Sequence, residues 1–298
     1  MTEAEHLSES ARAALVLPDD ERIERIRRAR WIGYTRAREI LTKLEDLLVY
    51  PRQPRMPNLL LYGETGNGKT FIIHRFIKRH PAYDHPDGDA VMVPVLAVQA
   101  PPLPSEGRLY DALLEALFVP YKARDPVSTK QFQLLRLLRA VGTRVLVIDE
   151  IHHVLVGPVH QQRIVMNALK YLSNELHIPL IGVGTREAVR AIQADPQLAG
   201  RFHRAQLPLW RLDREYRKLL ASFERMLPLQ RASGLAREPL ATQLLAMTEG
   251  TIGELAALLK MAAIEAVRTH AERVDARVLA ALEWEPPSTR HAPSFGHV

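Results

Sequence analysis

The chain has 298 residues, 47% hydrophobic and 25% charged, an ordinary balance for one large globular domain or a core with a small lid. Forty Lys and Arg against 34 Asp and Glu leave a net charge of +6, which favours polyanionic partners without naming one. There is no cysteine, which excludes disulfides and thiolate metal sites, and no apolar run approaches the roughly eighteen residues of a membrane span.

In chain order, the acidic start Met1–His6 lacks an apolar core, so a signal peptide is not expected, no membrane partner is expected, and a cytoplasmic location is. Residues 1–20 are expected to be weakly structured, followed by a helix over Asp20–Arg30. Arg22, Arg25, Arg27, Arg28, Arg30, Arg36 and Arg38 stand against one acid, Glu24, with Trp31 and Tyr34 among them. Two readings are open: a DNA-contacting or protein-docking arm, or a solvated helix face packed through Ile23, Ile26 and Trp31. Ala37, Ile40, Leu41, Leu44, Leu47 and Leu48 recur at helical spacing and predict a helix over Thr35–Leu48. Pro51, Pro54 and Pro57 form a stiff connector into the apolar run Asn58–Tyr62, a buried strand.

Gly63-Glu64-Thr65-Gly66-Asn67-Gly68-Lys69-Thr70 follows that strand and fits the Walker A pattern G-x-x-x-x-G-K-S/T. In such a loop the glycine backbone wraps phosphates, the lysine lies against them, and the hydroxyl holds Mg²⁺. The flanks are those the pattern requires: a strand before, and after it a helix over Thr70–Arg79 that stops near His80-Pro81. Val91–Val98 reads as a strand, at an edge because of Pro94. Helices are expected at Arg108–Phe118 and Thr129–Val141.

Arg144–Glu150 is an apolar strand ending in two acids, the Walker B pattern, with Asp149 placed to hold Mg²⁺ and Glu150 to polarise the attacking water. His152 and His153 follow; a metal reading needs a further ligand, no convincing set is legible nearby, and they are expected to be packed or interfacial. A helix over His160–Leu176, a strand over Pro179–Val183 and a last strand over Ala205–Leu209 complete an alternating pattern that predicts a parallel α/β sheet. Beyond it only helices are expected, at Asp213–Leu227, Pro239–Met247, Ile252–Thr269 and Val274–Leu282, then a disordered tail from Glu285. The expected division is 1–57 as an N-terminal helical arm and connector, 58–212 as the α/β nucleotide-binding domain, 213–284 as an all-α lid and 285–298 as the tail.

These motifs together resemble an AAA+ ATPase of the P-loop class: a parallel sheet sandwiched by helices, with an all-α lid. Arg55–Gly63, Ile148–His152 and Pro179–Ala188 resemble more narrowly the TniB family of ATP-dependent transposition proteins, relatives of TnsC and MuB. The resemblance covers about Arg22–Leu282 and implies ATP and Mg²⁺ as ligands. It gives Gly63, Glu64, Thr65, Gly66, Asn67, Gly68, Lys69 and Thr70 to the nucleotide, Thr70 and Asp149 to the metal, and catalysis to Lys69, Glu150, Thr185 as sensor 1 and Arg201 as arginine finger, with Arg204 in reserve. Gly253 stands where many lids carry a sensor-2 arginine, so slow hydrolysis coupled to assembly is expected. The implied partners are duplex DNA held by its backbone, a DDE transposase, and further copies of the chain in a filament or ring. Arg108, Lys122, Arg124 and Lys130 are candidate DNA contacts, with ordinary surface cations as the alternative. The rivals are a helicase-loader-like ATPase and a nucleotide-gated scaffold without a DNA role. A helicase itself is disfavoured despite Asp149-Glu150-Ile151-His152, because it needs a second motor domain and the stretch after the first sheet is expected to be too short and too helical for one.

Overall fold

The computed structural model describes residues 4–290 apart from Asp87, Asp89 and 195–198. By their contacts they form two compact units. One holds 36–65 and 69–207; the other holds the residues up to Thr35, the tripeptide Gly66–Gly68, and the chain from Pro208 onward. This division differs from the expected segments. The arginine-rich stretch before Thr35 packs with the C-terminal helices, while the helix Thr35–Leu48 belongs almost wholly to the α/β unit.

The α/β unit is built on five parallel strands: β1 (Asn58–Gly63), β4 (Val95–Gln99), β5 (Val145–Asp149), β6 (Leu180–Gly184) and β7 (Phe202–Leu207), in the order β4-β5-β6-β1-β7. Leu59 faces Ile181 on one side and His203 on the other, and Ile148 faces Gly182. The central strands are almost continuously apolar and buried, as strands covered on both faces must be. Helices α3 (Thr35–Leu48), α4 (Lys69–Arg79), α5 (Glu106–Ala116), α6 (Val127–Ala140), α7 (Val159–Leu176) and α8 (Arg186–Ala194) complete the unit. Leu109, Leu113, Leu134, Leu138, Leu169 and Leu172 from three of them pack one core with Leu146 and Ile148.

The expected strand Val91–Val98 is broken. Tyr83–Asp84 (β2) and Val91–Met92 (β3) form a small antiparallel ribbon, and β4 starts only at Val95. Pro94 is the cause: it has no N–H to donate, and its carbonyl instead accepts from Arg144 N at 2.9 Å and Val145 N at 3.1 Å. The edge position expected for this strand holds, since β4 ends the sheet. The last strand begins at Phe202, three residues before its expected start.

The helical unit comprises α1 (Glu9–Arg12), α2 (Asp19–Arg27), α9 (Arg214–Glu224), α10 (Leu240–Thr248), α11 (Ile252–Arg268), α12 (Ala276–Ala280) and α13 (Pro287–Arg290). Ile23 and Ile26 of α2 are buried in one apolar cluster with Leu219, Leu220, Leu255, Leu259 and Val267. Residues 4–20 are more ordered than expected: Ser8 caps α1, Leu7, Ala11 and Ala14 are buried, and Ser8 N donates to Arg225 O at 2.7 Å. The expected tail starts with structure too, since Arg290 lies over Trp284 and pairs with Glu254 at 2.9 Å; residues 291–298 lie outside the described residues. Among the described residues no helix is long and apolar enough to cross a membrane.

Candidate functional site

The site begins where β1 runs out. Parallel strands bring their carboxyl ends to one edge, where an α/β sheet binds ligands. There β1 delivers Gly63 and Glu64, β5 delivers Asp149 and Glu150, and β6 delivers Gly184 and Thr185. Gly63 is glycine for room, since a Cβ would stand 2.6 Å from Leu207 O on β7. Gly66 and Gly68 have φ of 69° and 85°, the left-handed region that lets the loop fold back before α4.

Lys69, the first residue of α4, is 6% exposed, and its Nζ donates to Gly63 O at 3.0 Å and Glu64 O at 2.9 Å. Burial pulls this ammonium below the ordinary lysine range, while Glu150, Asp149 and Glu64 act in the opposite direction. Thr70 Oγ1 donates to Asp149 Oδ2 at 2.8 Å, and Asp149 Oδ1 accepts from Glu150 N at 2.8 Å. The two residues predicted to hold a metal are thus brought together. Their side chains offer only oxygen, the donor type Mg²⁺ prefers. Glu150 itself sits in the left-handed region, at φ 52°.

Thr185 lies between β6 and α8. Its Oγ1 is buried and has no hydrogen-bond partner among the described residues. A buried hydroxyl left unpaired costs about 1–3 kcal/mol, so it awaits a partner that the described residues do not provide. A nucleotide phosphate with its water fits that demand, as it fits the folded-back glycines and the buried cation. Arg186, next in sequence, pairs with Glu64 at 2.9 Å and so braces the loop, a contact no sequence pattern announces.

The remaining predicted residues are scattered. Arg201 precedes β7, half-buried, with one guanidinium nitrogen donating to Asn174 Oδ1 at 2.9 Å. Arg204 is exposed on β7, 2.7 Å from the Gln193 amide. Asn67 and Gly66 are engaged in the helical unit: the Asn67 amide donates to Pro208 O at 3.0 Å, and Gly66 O accepts from Gly253 N at 3.0 Å. A Cβ on residue 253 would overlap that carbonyl, which explains glycine at the place where a cation is usual.

Among the candidate DNA contacts Lys130 is a correction. It is 3% exposed, pairs with Asp111 at 2.7 Å, donates to Ala123 O and lies over the Tyr121 ring. It is an internal strut, whereas Arg108, Lys122 and Arg124 are exposed. The arginine-rich stretch divides in the same way. Arg22 is buried against Glu272, Arg30 donates to Met226 O, and Arg36 donates to Gln206 O, while Arg27, Arg28 and Arg38 face solvent. The histidine expectation is also revised. Glu150, His152 and His153 each place a ligand atom within 4.8 Å of the others, so the further donor sits two residues before His152.

A family model described as "Bacterial TniB protein" matches residues 22–212. No curated protein matches the chain. Among solved structures, the Aeropyrum pernix ORC2 protein in its ADPNP–ADP complexes superposes with a TM-score of 0.59 at 16% identity, covering 86% of this chain and 69% of that one. Cdc6p from Pyrobaculum aerophilum gives 0.57 at 16%, with 86% and 68% covered, and a single-substitution variant of Thermotoga maritima RuvB gives 0.51 at 15%, with 84% and 68% covered. At such identities the likeness establishes the fold alone, the P-loop AAA+ arrangement of a parallel sheet flanked by helices, with a helical C-terminal part.

Proposed function

The chain belongs to the TniB family, and on that premise we propose that it is an ATP-dependent transposition protein that assembles on duplex DNA and recruits or activates a DDE transposase. The observation carrying the nucleotide part is the chemistry of the sheet edge. Lys69, Thr70, Asp149, Glu150 and the unpartnered Thr185 hydroxyl come from the ends of three neighbouring strands and the loop between β1 and α4.

In this reading Lys69 exchanges the carbonyls of Gly63 and Glu64 for phosphate oxygens, which restores the counter-charge its burial lacks. Thr70 and Asp149 hold Mg²⁺, which when bound neutralises phosphate charge. Glu150 orients the attacking water and Thr185 donates to it or to the terminal phosphate. Arg201 of a neighbouring copy is the proposed finger. To reach across it must leave Asn174, whereas Arg204 needs only to leave Gln193. The exposed cations Arg108, Lys122 and Arg124 are proposed for the DNA backbone, an attraction that weakens steeply with salt.

Support for the DNA role comes from the family and from the basic balance of +6. The test is a gel shift with duplex DNA in low salt, with and without ATP and Mg²⁺, followed by electron microscopy with a non-hydrolysable analogue. Nucleotide-dependent retention and an ordered assembly are expected. Indifference to DNA under those conditions would leave a nucleotide-gated scaffold as the better description. Stimulation of helicase loading rather than of a transposase would favour a loader.

A further inference from the structure

We propose that Glu150, His152 and His153 form a site for one divalent transition-metal ion of the zinc type, and that filling it withdraws Glu150 from the water it is proposed to polarise. The inhibitory half rests on the role given to Glu150 under Proposed function; the binding half stands without it.

The short 3₁₀ turn Ile151–Leu155 builds the cluster. Glu150 enters it in the left-handed region, and His153 N donates to Glu150 O at 2.9 Å, so the three residues share a single turn. One ligand atom from each lies within 4.8 Å of the others, and His152 Nδ1 is already 3.1 Å from Glu150 Oε2. Donors around a tetrahedral ion at about 2.0–2.1 Å stand roughly 3.4 Å apart, so the remaining closure is at most about 1.4 Å of side-chain movement.

Two further observations point to a ligand. His152 Nδ1 and His153 Nδ1 are both buried, and neither makes a hydrogen bond among the described residues; the approach of His152 to Glu150 lacks the angle of one. Two such imidazole nitrogens stand side by side in this one turn, each carrying the cost of a buried polar atom left unpaired. Nor do the rings stack on each other: their centroids are 4.7 Å apart and the planes tilt by 57°. Gly184 leaves space for this arrangement, since a Cβ there would stand 3.3 Å from His152 Nδ1.

Donor chemistry separates this site from the neighbouring one. Thr70 and Asp149 offer oxygen and suit Mg²⁺, whereas two imidazoles and a carboxylate are a three-ligand set that suits Zn²⁺ and leaves a position for water. Millimolar Mg²⁺ therefore does not compete, while Zn²⁺ at far lower concentration does occupy the pair and its glutamate.

The experiment uses the full chain without nucleotide. Zn²⁺ is titrated calorimetrically, and Co²⁺ serves as the spectroscopic probe, in Mg²⁺ buffer. One equivalent is expected, with the intense visible bands of four-coordinate Co²⁺. His152→Gln and His153→Gln, each checked for an unchanged melting curve, should each weaken binding by more than the roughly 10–100-fold that loss of a supporting partner costs. ATPase activity is then read against Zn²⁺, each protein scaled to its own zinc-free rate. The parent should be inhibited at the concentration that fills the site, and the two variants should resist. Absence of a stoichiometric site, or its survival in the double variant, overturns the proposal. Stoichiometric binding in a protein that hydrolyses no ATP even when assembled with duplex DNA upholds the site and overturns the hydrolytic reading under Proposed function instead. Binding without inhibition in an active enzyme overturns the regulatory half.

Discussion

The helical unit and the sheet edge differ in how their charged side chains are partnered. In the helical unit Arg22 is sealed against Glu272, whose carboxylate also accepts from Gln230 N at 3.0 Å. Glu224 accepts from Gly234 N and Leu235 N, and Asp275 caps α12 by accepting from Arg277 N and Val278 N. Each of these charges finds its partners within the unit. At the sheet edge Lys69 rests on the carbonyls of its own loop, and Thr185 Oγ1, His152 Nδ1 and His153 Nδ1 make no hydrogen bond among the described residues. Saturated charges hold a structure together; unsaturated ones mark where something else is to bind.

That contrast can be broken by substitution, and the largest effect is expected at Lys69. Lys69→Ala should lower ATP affinity beyond calorimetric detection while the circular dichroism spectrum stays that of the parent. Retained affinity would mean that the buried ammonium is a structural group like Arg22. Glu150→Gln should keep ATP binding and lose on the order of 10²–10⁴-fold in hydrolysis, measured as phosphate release. A parental rate there removes Glu150 from the chemistry.

Arg22→Ala probes the other side. It strands Glu272 in the helical unit and should cost about 3–5 kcal/mol in denaturant unfolding. Lys130→Ala strands Asp111 and should destabilise in the same sense, whereas Arg124→Ala should stay within about 0.5 kcal/mol and show instead as a shallower salt dependence of DNA retention. If Arg22→Ala unfolds like the parent, satisfaction of charge is not what distinguishes the two regions.

Thr185→Ala sharpens the comparison. Removing an unpaired buried hydroxyl should not lower stability and should raise it by up to about 1–3 kcal/mol, yet slow hydrolysis roughly ten- to a hundred-fold, the lower range for loss of one preorganised donor. The smallest effect concerns pH. Lys69 has its folded pKa lowered by burial, so between that value and the unfolded one the unfolded chain binds the additional proton. Stability without nucleotide should therefore gain a little as pH rises through that window, and Lys69→Met should flatten the gain in urea titrations at successive pH values.

Much of this protein was readable along the chain. The spacing from Gly63 to Thr70, the apolar run ending in Asp149-Glu150 and the apolar period of Thr35–Leu48 depend on neighbours a few residues away. Backbone conformation and facial periodicity are local, so the P-loop, the parallel sheet and the helical C-terminal part follow from sequence. What the tertiary structure alone decided is which of many similar charges are spoken for. Arg22 meets Glu272 and Lys130 meets Asp111, Gly253 is confined by Gly66, and Glu150 completes a cluster with two histidines that sequence reading left without a third ligand. Whether a polar group is satisfied depends on partners brought close by the whole fold, often from the far end of the chain, and no local pattern carries that information.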